Sequence, residues 1–167
     1  MLIVFIKRLL QMLGFVALQV LVCNHIHLVG YATPMPYVLF LAHLPLNANR
    51  TGNLVWAFVM GLLIDVFSNT PGEAAASLTL AALVQWPLLQ ASVPKDSVED
   101  LMPSYRTMGR WNHIRFVFLL ALVHHAAFYL LESFSFFHYI DVLISFGASL
   151  ALSLVLMLTL ETMNHGK

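Results

Sequence analysis

The stretch Gly61-Leu62-Leu63-Ile64-Asp65-Val66-Phe67-Ser68-Asn69-Thr70-Pro71-Gly72-Glu73 reads as the close of one apolar helix, a tight turn and the opening of another. Thr70 suits the N-cap, Pro71 the first helical position, and Glu73 the third, from which its carboxylate reaches back to the cap amide. Both flanks are oily: Leu54 to Phe67 lies before the turn and Ala74 to about Ala91 after it. Ala74-Ala75-Ala76-Ser77 opens the second helix with side chains small enough to let membrane helices approach closely.

Working outward, the same character fills the chain. It is 60% hydrophobic and only 10% charged, with a mean hydropathy of +0.82, which is more oil than a water-soluble core needs. A run from Leu9 to Val29 follows Lys7 and Arg8 and is long enough for a core that takes about 20 helical residues to cross. The residues after it, Tyr31 to Pro36, make a poor cleavage site, so it reads as a retained helix and not as a signal peptide. Pro34 and Pro36 then break the chain, and Tyr37 to Leu46 is apolar but short for a span. Further runs cover Ile114 to Leu131 and Val142 to Leu160. The expected fold is all-α: one integral membrane domain, residues 1–167, a polytopic bundle of six transmembrane helices with a short second one.

The charges fix the threading. Cytoplasmic loops collect Lys and Arg, and with six crossings and both termini cytoplasmic, Lys7, Arg8, Arg50, Lys95, Arg106, Arg110, Arg115 and Lys167 all fall on the inner side. Those are all eight basic residues of the chain. A re-entrant second run would turn the basic loop from Val93 to Asn112 outward. Four crossings, with the second and third runs both failing to span, would displace only Arg50. The one cysteine, Cys23, excludes an intramolecular disulfide. No basic stripe with interleaved aromatics points to nucleic acid. The Val93 to Asn112 loop, with its mixed charges and Tyr105, Met108 and Trp111, reads as a solvated linker that would also suit docking to another protein.

Asp65 is the residue that most needs a partner. It lies within an apolar helix and near its C-terminus, where the dipole disfavours an anion, and a carboxylate in a membrane helix costs about 2.5 to 3.5 kcal/mol at the centre on insertion scales and less near an interface. Either it reaches outside water or it forms a buried clasp. For the clasp, Asn24, His25 and His27 at the outer end of the first helix are candidate polar partners, and the backbone amides of the following turn are the alternative. Gly61, Pro71 and Gly72 complete the group that organises this corner.

Eight histidines invite a metal or proton-relay reading. His25 and His27 diverge by about 200° on a helix and His124 and His125 by about 100°, unlike the i, i+4 pair that clamps zinc, so no metal or cofactor is expected. His124 and His125 lie mid-membrane, where a neutral imidazole donates a hydrogen bond across a helix interface. His43, His113 and His138 read as wet polar ends near the interfaces. Glu132 and Asp141 flank an outer loop with Phe134, Phe136, Phe137 and Tyr139, aromatics that suit a membrane interface. Ser145, Ser149 and Ser153 repeat at i, i+4 as a packing seam. No nucleophile elbow, phosphate loop or cofactor fingerprint is present, so an enzyme is not expected and no residue is assigned as catalytic.

These features together resemble the MreD family, rod-shape-determining membrane proteins of bacteria. The resemblance covers nearly the whole chain: its length, the basic N-terminal start, the short second span after a proline, and Gly61-x-x-x-Asp65 followed by Thr70-Pro71-Gly72 and a small-residue helix. It implies a non-enzymatic scaffold of the bacterial inner membrane that binds an MreC-like bitopic protein and works with RodA and penicillin-binding protein 2 in lateral peptidoglycan synthesis. It also implies a fold similar to the substrate-binding subunits of energy-coupling-factor transporters. The alternative function is therefore the substrate-binding membrane subunit of a vitamin-type transporter, which would hold a small molecule in the outer cavity of the bundle.

Overall fold

The computed structural model describes residues 2–26, 32–44, 50–93, 103–133 and 139–164. Five helices in it are long and apolar enough to cross a membrane: α1 (Leu2–Leu21, continued by a 3-10 turn at Cys23–His25), α3 (Arg50–Ser68), α4 (Glu73–Ser92), α6 (Arg110–Glu132) and α7 (Tyr139–Asn164). A 3-10 turn at Pro36–Val38 runs into the short α2 (Leu39–Ala42), and α5 (Tyr105–Met108) precedes α6. The chain is an all-α, multi-pass membrane protein. His27, the linker with Lys95, the aromatic outer loop from Phe134 to His138, and Lys167 lie outside the described residues.

Its surface supports that class. Val66, Phe67, Leu83, Leu130, Leu143 and Val155 point outward and are largely exposed, an arrangement that lipid tolerates and water does not. The buried residues of α3, among them Ala57, Met60, Gly61 and Ile64, repeat on one helical face. The described end of the linker is folded onto the protein: Ser104 and Thr107 form a reciprocal capping box around α5, and Pro103 and Met108 are buried.

The third run is longer than its apolar residues suggest. Arg50 to Asn53, which precede the apolar run that starts at Leu54, belong to α3, and the Arg50 guanidinium sits 5.4 Å over the Trp86 ring of α4. That contact screens one charge at the membrane boundary with an aromatic face.

Contacts between elements settle the second run. Asn24 at the far end of α1 bonds Ser68 at the far end of α3, while Phe5 packs on Trp56 at their near ends. The chain therefore stands at the far side of the bundle after α1 and must be back at the near side before α3 starts. It returns through residues 32–44, alongside α7: Thr33 meets Ser149, Met35 meets Ser153 and His43 meets Glu161. Twelve residues of α7 measure ~18 Å, so an extended piece and two helical turns cover most of the core. The second run crosses, and both the re-entrant and the four-crossing arrangements are excluded. Lys7, Arg8, Arg50, Arg110 and Arg115 lie in the parts of α1, α3 and α6 at one end of the bundle, the basic end.

Candidate functional site

The corner between α3 and α4 is built around Asp65. Its Oδ1 accepts from the Thr70 hydroxyl at 2.8 Å and the Ala74 amide at 2.9 Å, and its Oδ2 accepts from the Ala75 amide at 2.9 Å. Of the two clasps considered, the backbone one is present. The carboxylate belongs to the last turn of α3 yet sits on the first turn of α4, whose dipole and free amides favour an anion.

The cap itself differs from the expected box. Gly72, with φ 88°, is the N-cap of α4 and Glu73 its first residue, so Thr70 and Pro71 precede the helix. The Asp65 carboxylate takes the Ala74 and Ala75 amides in place of a Thr70 cap, and the Thr70 hydroxyl turns back to bond that carboxylate. Asn69, with φ 58°, is also left-handed, and the turn closes with the Thr70 amide on the Asp65 carbonyl at 3.2 Å. One helical turn before Asp65, Gly61 lies against α4 so closely that a Cβ would come within 2.6 Å of the Ala75 nitrogen and 2.7 Å of the Ala74 oxygen. Gly61 makes the approach and Asp65 locks it.

The remaining polar candidates at this end divide. Asn24 donates to Ser68 Oγ at 2.7 Å and accepts from Gln19 Nε2 at 2.9 Å, tying α1 to α3 beside the clasp without joining it. His25 is exposed.

The crossing at residues 32–44 forms the axis of the bundle. Tyr37, Val38, Leu39, Phe40, Leu41 and Ala42 are buried almost completely. A broken pass has free backbone groups, and at membrane depth these survive only inside protein with partners. Pro34 and Pro36 remove two amides. Of the remaining groups, the Thr33 amide donates to Ser149 Oγ at 3.0 Å and the Met35 amide to Ser153 Oγ at 2.8 Å. Gln19 Nε2 donates to the Pro34 carbonyl at 3.1 Å and Gln85 Nε2 to the Leu41 carbonyl at 2.6 Å. At about 1 to 3 kcal/mol for each buried group left unmade, these four bonds decide a sum comparable with the whole stability of a domain. The serine stripe on α7 is thus more than a packing seam.

His124 and His125 support that network. His125 Nδ1 lies 2.8 Å from the Ala121 carbonyl and so carries the proton, which leaves Nε2, 2.9 Å from Ser153 Oγ, to accept from the hydroxyl. Ser153 therefore spends its hydrogen on His125 and a lone pair on Met35. His124 Nε2 faces both the Tyr37 hydroxyl at 3.2 Å and Ser77 Oγ at 3.1 Å, and Tyr129 bonds Ser149 at 2.7 Å.

At the basic end, sequence reasoning missed a cluster. Glu161 of α7 is almost fully buried, with His113 Nε2 of α6 at 2.6 and 2.7 Å from its two oxygens and His43 Nε2 at 3.5 Å. Gln11 of α1 bonds His43 Nδ1 at 3.1 Å. His113 is not a wet end but wholly buried. The signal available was Glu161 itself, an acid directly after the last apolar run and still within α7. Among the described residues no group of three or more His, Cys, Asp or Glu side chains is arranged to hold a metal ion.

Beside that cluster a groove of about 430 Å³ opens to the lipid between α1 and α7, with the second pass as its floor. Phe15, Leu18, Leu39 and Leu160 line it, Gln11 and His43 mark its foot, and Gly14 leaves its wall flat, with nothing within 4 Å of where a Cβ would stand. Comparison with family models, with curated proteins and with solved structures finds no match for this chain.

Proposed function

We propose that this protein is a non-enzymatic scaffold of the bacterial inner membrane that serves cell elongation. It seats the single membrane helix of an MreC-like bitopic protein and, through that partner, joins RodA and penicillin-binding protein 2 in lateral peptidoglycan synthesis. The partner names rest on the sequence resemblance to the MreD family. The observation that carries the reading is the groove between α1 and α7. It is apolar, faces lipid and is flat at Gly14, and close packing against small residues is what joins membrane helices when lipid is as apolar as the partner. The positive-inside rule places the basic end in the cytoplasm, so a partner helix would run the length of the groove from Gln11 outward.

In this reading Asp65, Gly61, Pro71 and Gly72 organise the partner's seat indirectly, by fixing the α3–α4 corner against which the rest of the bundle packs. Asn24 extends the same corner to α1.

The test is capture of a tagged copy from gently solubilised membranes. Wild-type protein should bring down an MreC-like protein with wall-synthesis enzymes, and Gly14→Leu, which fills the groove without touching the chain's own core, should lose them while eluting as wild type. Recovery of paired ATPases with a coupling membrane protein would move the assignment to a transporter subunit.

A further inference from the structure

At the end opposite the basic one, α1, the second pass, α3 and α6 enclose a half-open cavity of about 210 Å³, room for about seven waters at ~30 Å³ each. Its chemistry is one-sided. Gln19 is buried, and its amide orientation is set because Nε2 already donates to the Pro34 carbonyl and Asn24 Oδ1. That leaves the carbonyl, and Gln19 Oε1, on a residue that lines the cavity, is buried with no hydrogen-bond partner among the described residues. A buried acceptor left unmade costs about 1 to 3 kcal/mol, so a donor brought to this acceptor is favoured.

The remaining lining points the same way. Glu132, at the end of α6, brings a carboxylate to the cavity, and no Lys or Arg lines it. Among the described residues Glu132 has no ion pair, whereas Asp65 and Glu161, the buried acids, both have structural partners. Tyr37, Phe128 and Tyr129 line it as well, and aromatic rings attract cations. Orphan acceptor, unpaired carboxylate and aromatic wall are together the features that recognise a protonated amine.

We propose that this cavity is a binding site for a small organic ammonium compound that enters from the side opposite the basic end. The N–H donors would go to Gln19 Oε1 and Glu132, and the apolar body would lie against the aromatic wall. The site does not depend on the scaffold reading, because it uses none of the α1–α7 groove, and its test uses the purified chain alone.

The probes are benzylammonium, benzyl alcohol and benzoate, which share a ring and differ in charge. Binding to full-length protein in detergent would be measured by equilibrium dialysis, with Glu132→Gln and Glu132→Lys alongside. Glu132 is exposed at the rim and bonds no backbone, so both variants should elute as wild type. Wild-type protein should take up one benzylammonium saturably, with about tenfold preference over the alcohol, the scale of one charge-assisted hydrogen bond. Glu132→Gln should abolish the preference and Glu132→Lys should transfer it to benzoate. Uptake that is unsaturable, equal for the three probes, or indifferent to residue 132 would mean that only the micelle binds them and would overturn the proposal.

Discussion

The α3–α4 corner and the second pass solve one problem by opposite means. Both contain backbone that no helix satisfies, in a solvent that supplies no hydrogen bonds. At the corner, the free amides of Ala74 and Ala75 go to a carboxylate nine and ten residues away. In the second pass, Thr33 and Met35 go to hydroxyls 116 and 118 residues away, and the Leu41 carbonyl to an amide 44 residues away. A local device can be written in a dozen residues; a distant one needs the rest of the fold to hold it. The corner therefore makes the pair α3–α4 rigid by itself, whereas the second pass is only as stable as the bundle around it.

Four substitutions would break or sharpen this contrast. The largest effect is expected from Gly61→Leu, which drives a side chain into the Ala74–Ala75 backbone; overpacking of this kind costs about 3 kcal/mol or more, and the protein should no longer elute as one species in mild detergent. Asp65→Asn comes next. One amide oxygen can replace Oδ1, but its NH₂ would face the Ala75 N–H, and a loss of about 2 to 3 kcal/mol should appear in SDS titration. If Asn restored wild-type stability, the carboxylate would not be the lock.

Ser153→Val should cost about 1 to 2 kcal/mol in the same assay, in line with interhelical hydrogen bonds in membranes. Its signature is spatial: hydrogen exchange should speed at Met35, more than a hundred residues away, and stay slow at Ala74 and Ala75. Equal acceleration at both sites would show that the two regions are one cooperative unit. The smallest effect belongs to Gly72→Ala, about 1 kcal/mol for a side chain at φ 88°, with exchange changes confined to the corner.

The same contrast explains what was legible in the sequence. The five long helices, their order and the crossing of the second run follow from apolar length and from the placement of basic residues, because lipid acts on each segment separately. Asp65 was legible as a residue in need of a partner, and the turn amides were one of two choices offered. Its exact cap was not. Thr70-Pro71-Gly72-Glu73 satisfies the sequence pattern of a capping box, but α4 starts only at Glu73 and the Asp65 carboxylate caps it through the Ala74 and Ala75 amides. The bonds of Gln19, Gln85, Ser149 and Ser153 to the second pass were out of reach, since nothing in their own neighbourhood announces a partner so far along the chain. The Glu161 cluster was missed for the same reason: His43, His113 and Glu161 look like three unrelated interface residues until α6, α7 and the second pass are brought together. The groove and the outer cavity are products of packing and have no linear signature.

The distance between the second pass and its serines also sets an order of events when the protein is made. The ribosome delivers Thr33 and Met35 long before Ser149 and Ser153, and at about 5 to 20 residues per second the 116 to 118 intervening residues take roughly 6 to 24 s. During that interval two buried amides have no partner and the segment is too short to insert as a helix of its own. A chain that holds residues 32–44 in the insertion machinery or at the bilayer surface until the last helix arrives avoids exposing these amides to lipid. Release of a chain truncated before α7 would leave this segment stranded and expose it to quality-control proteases.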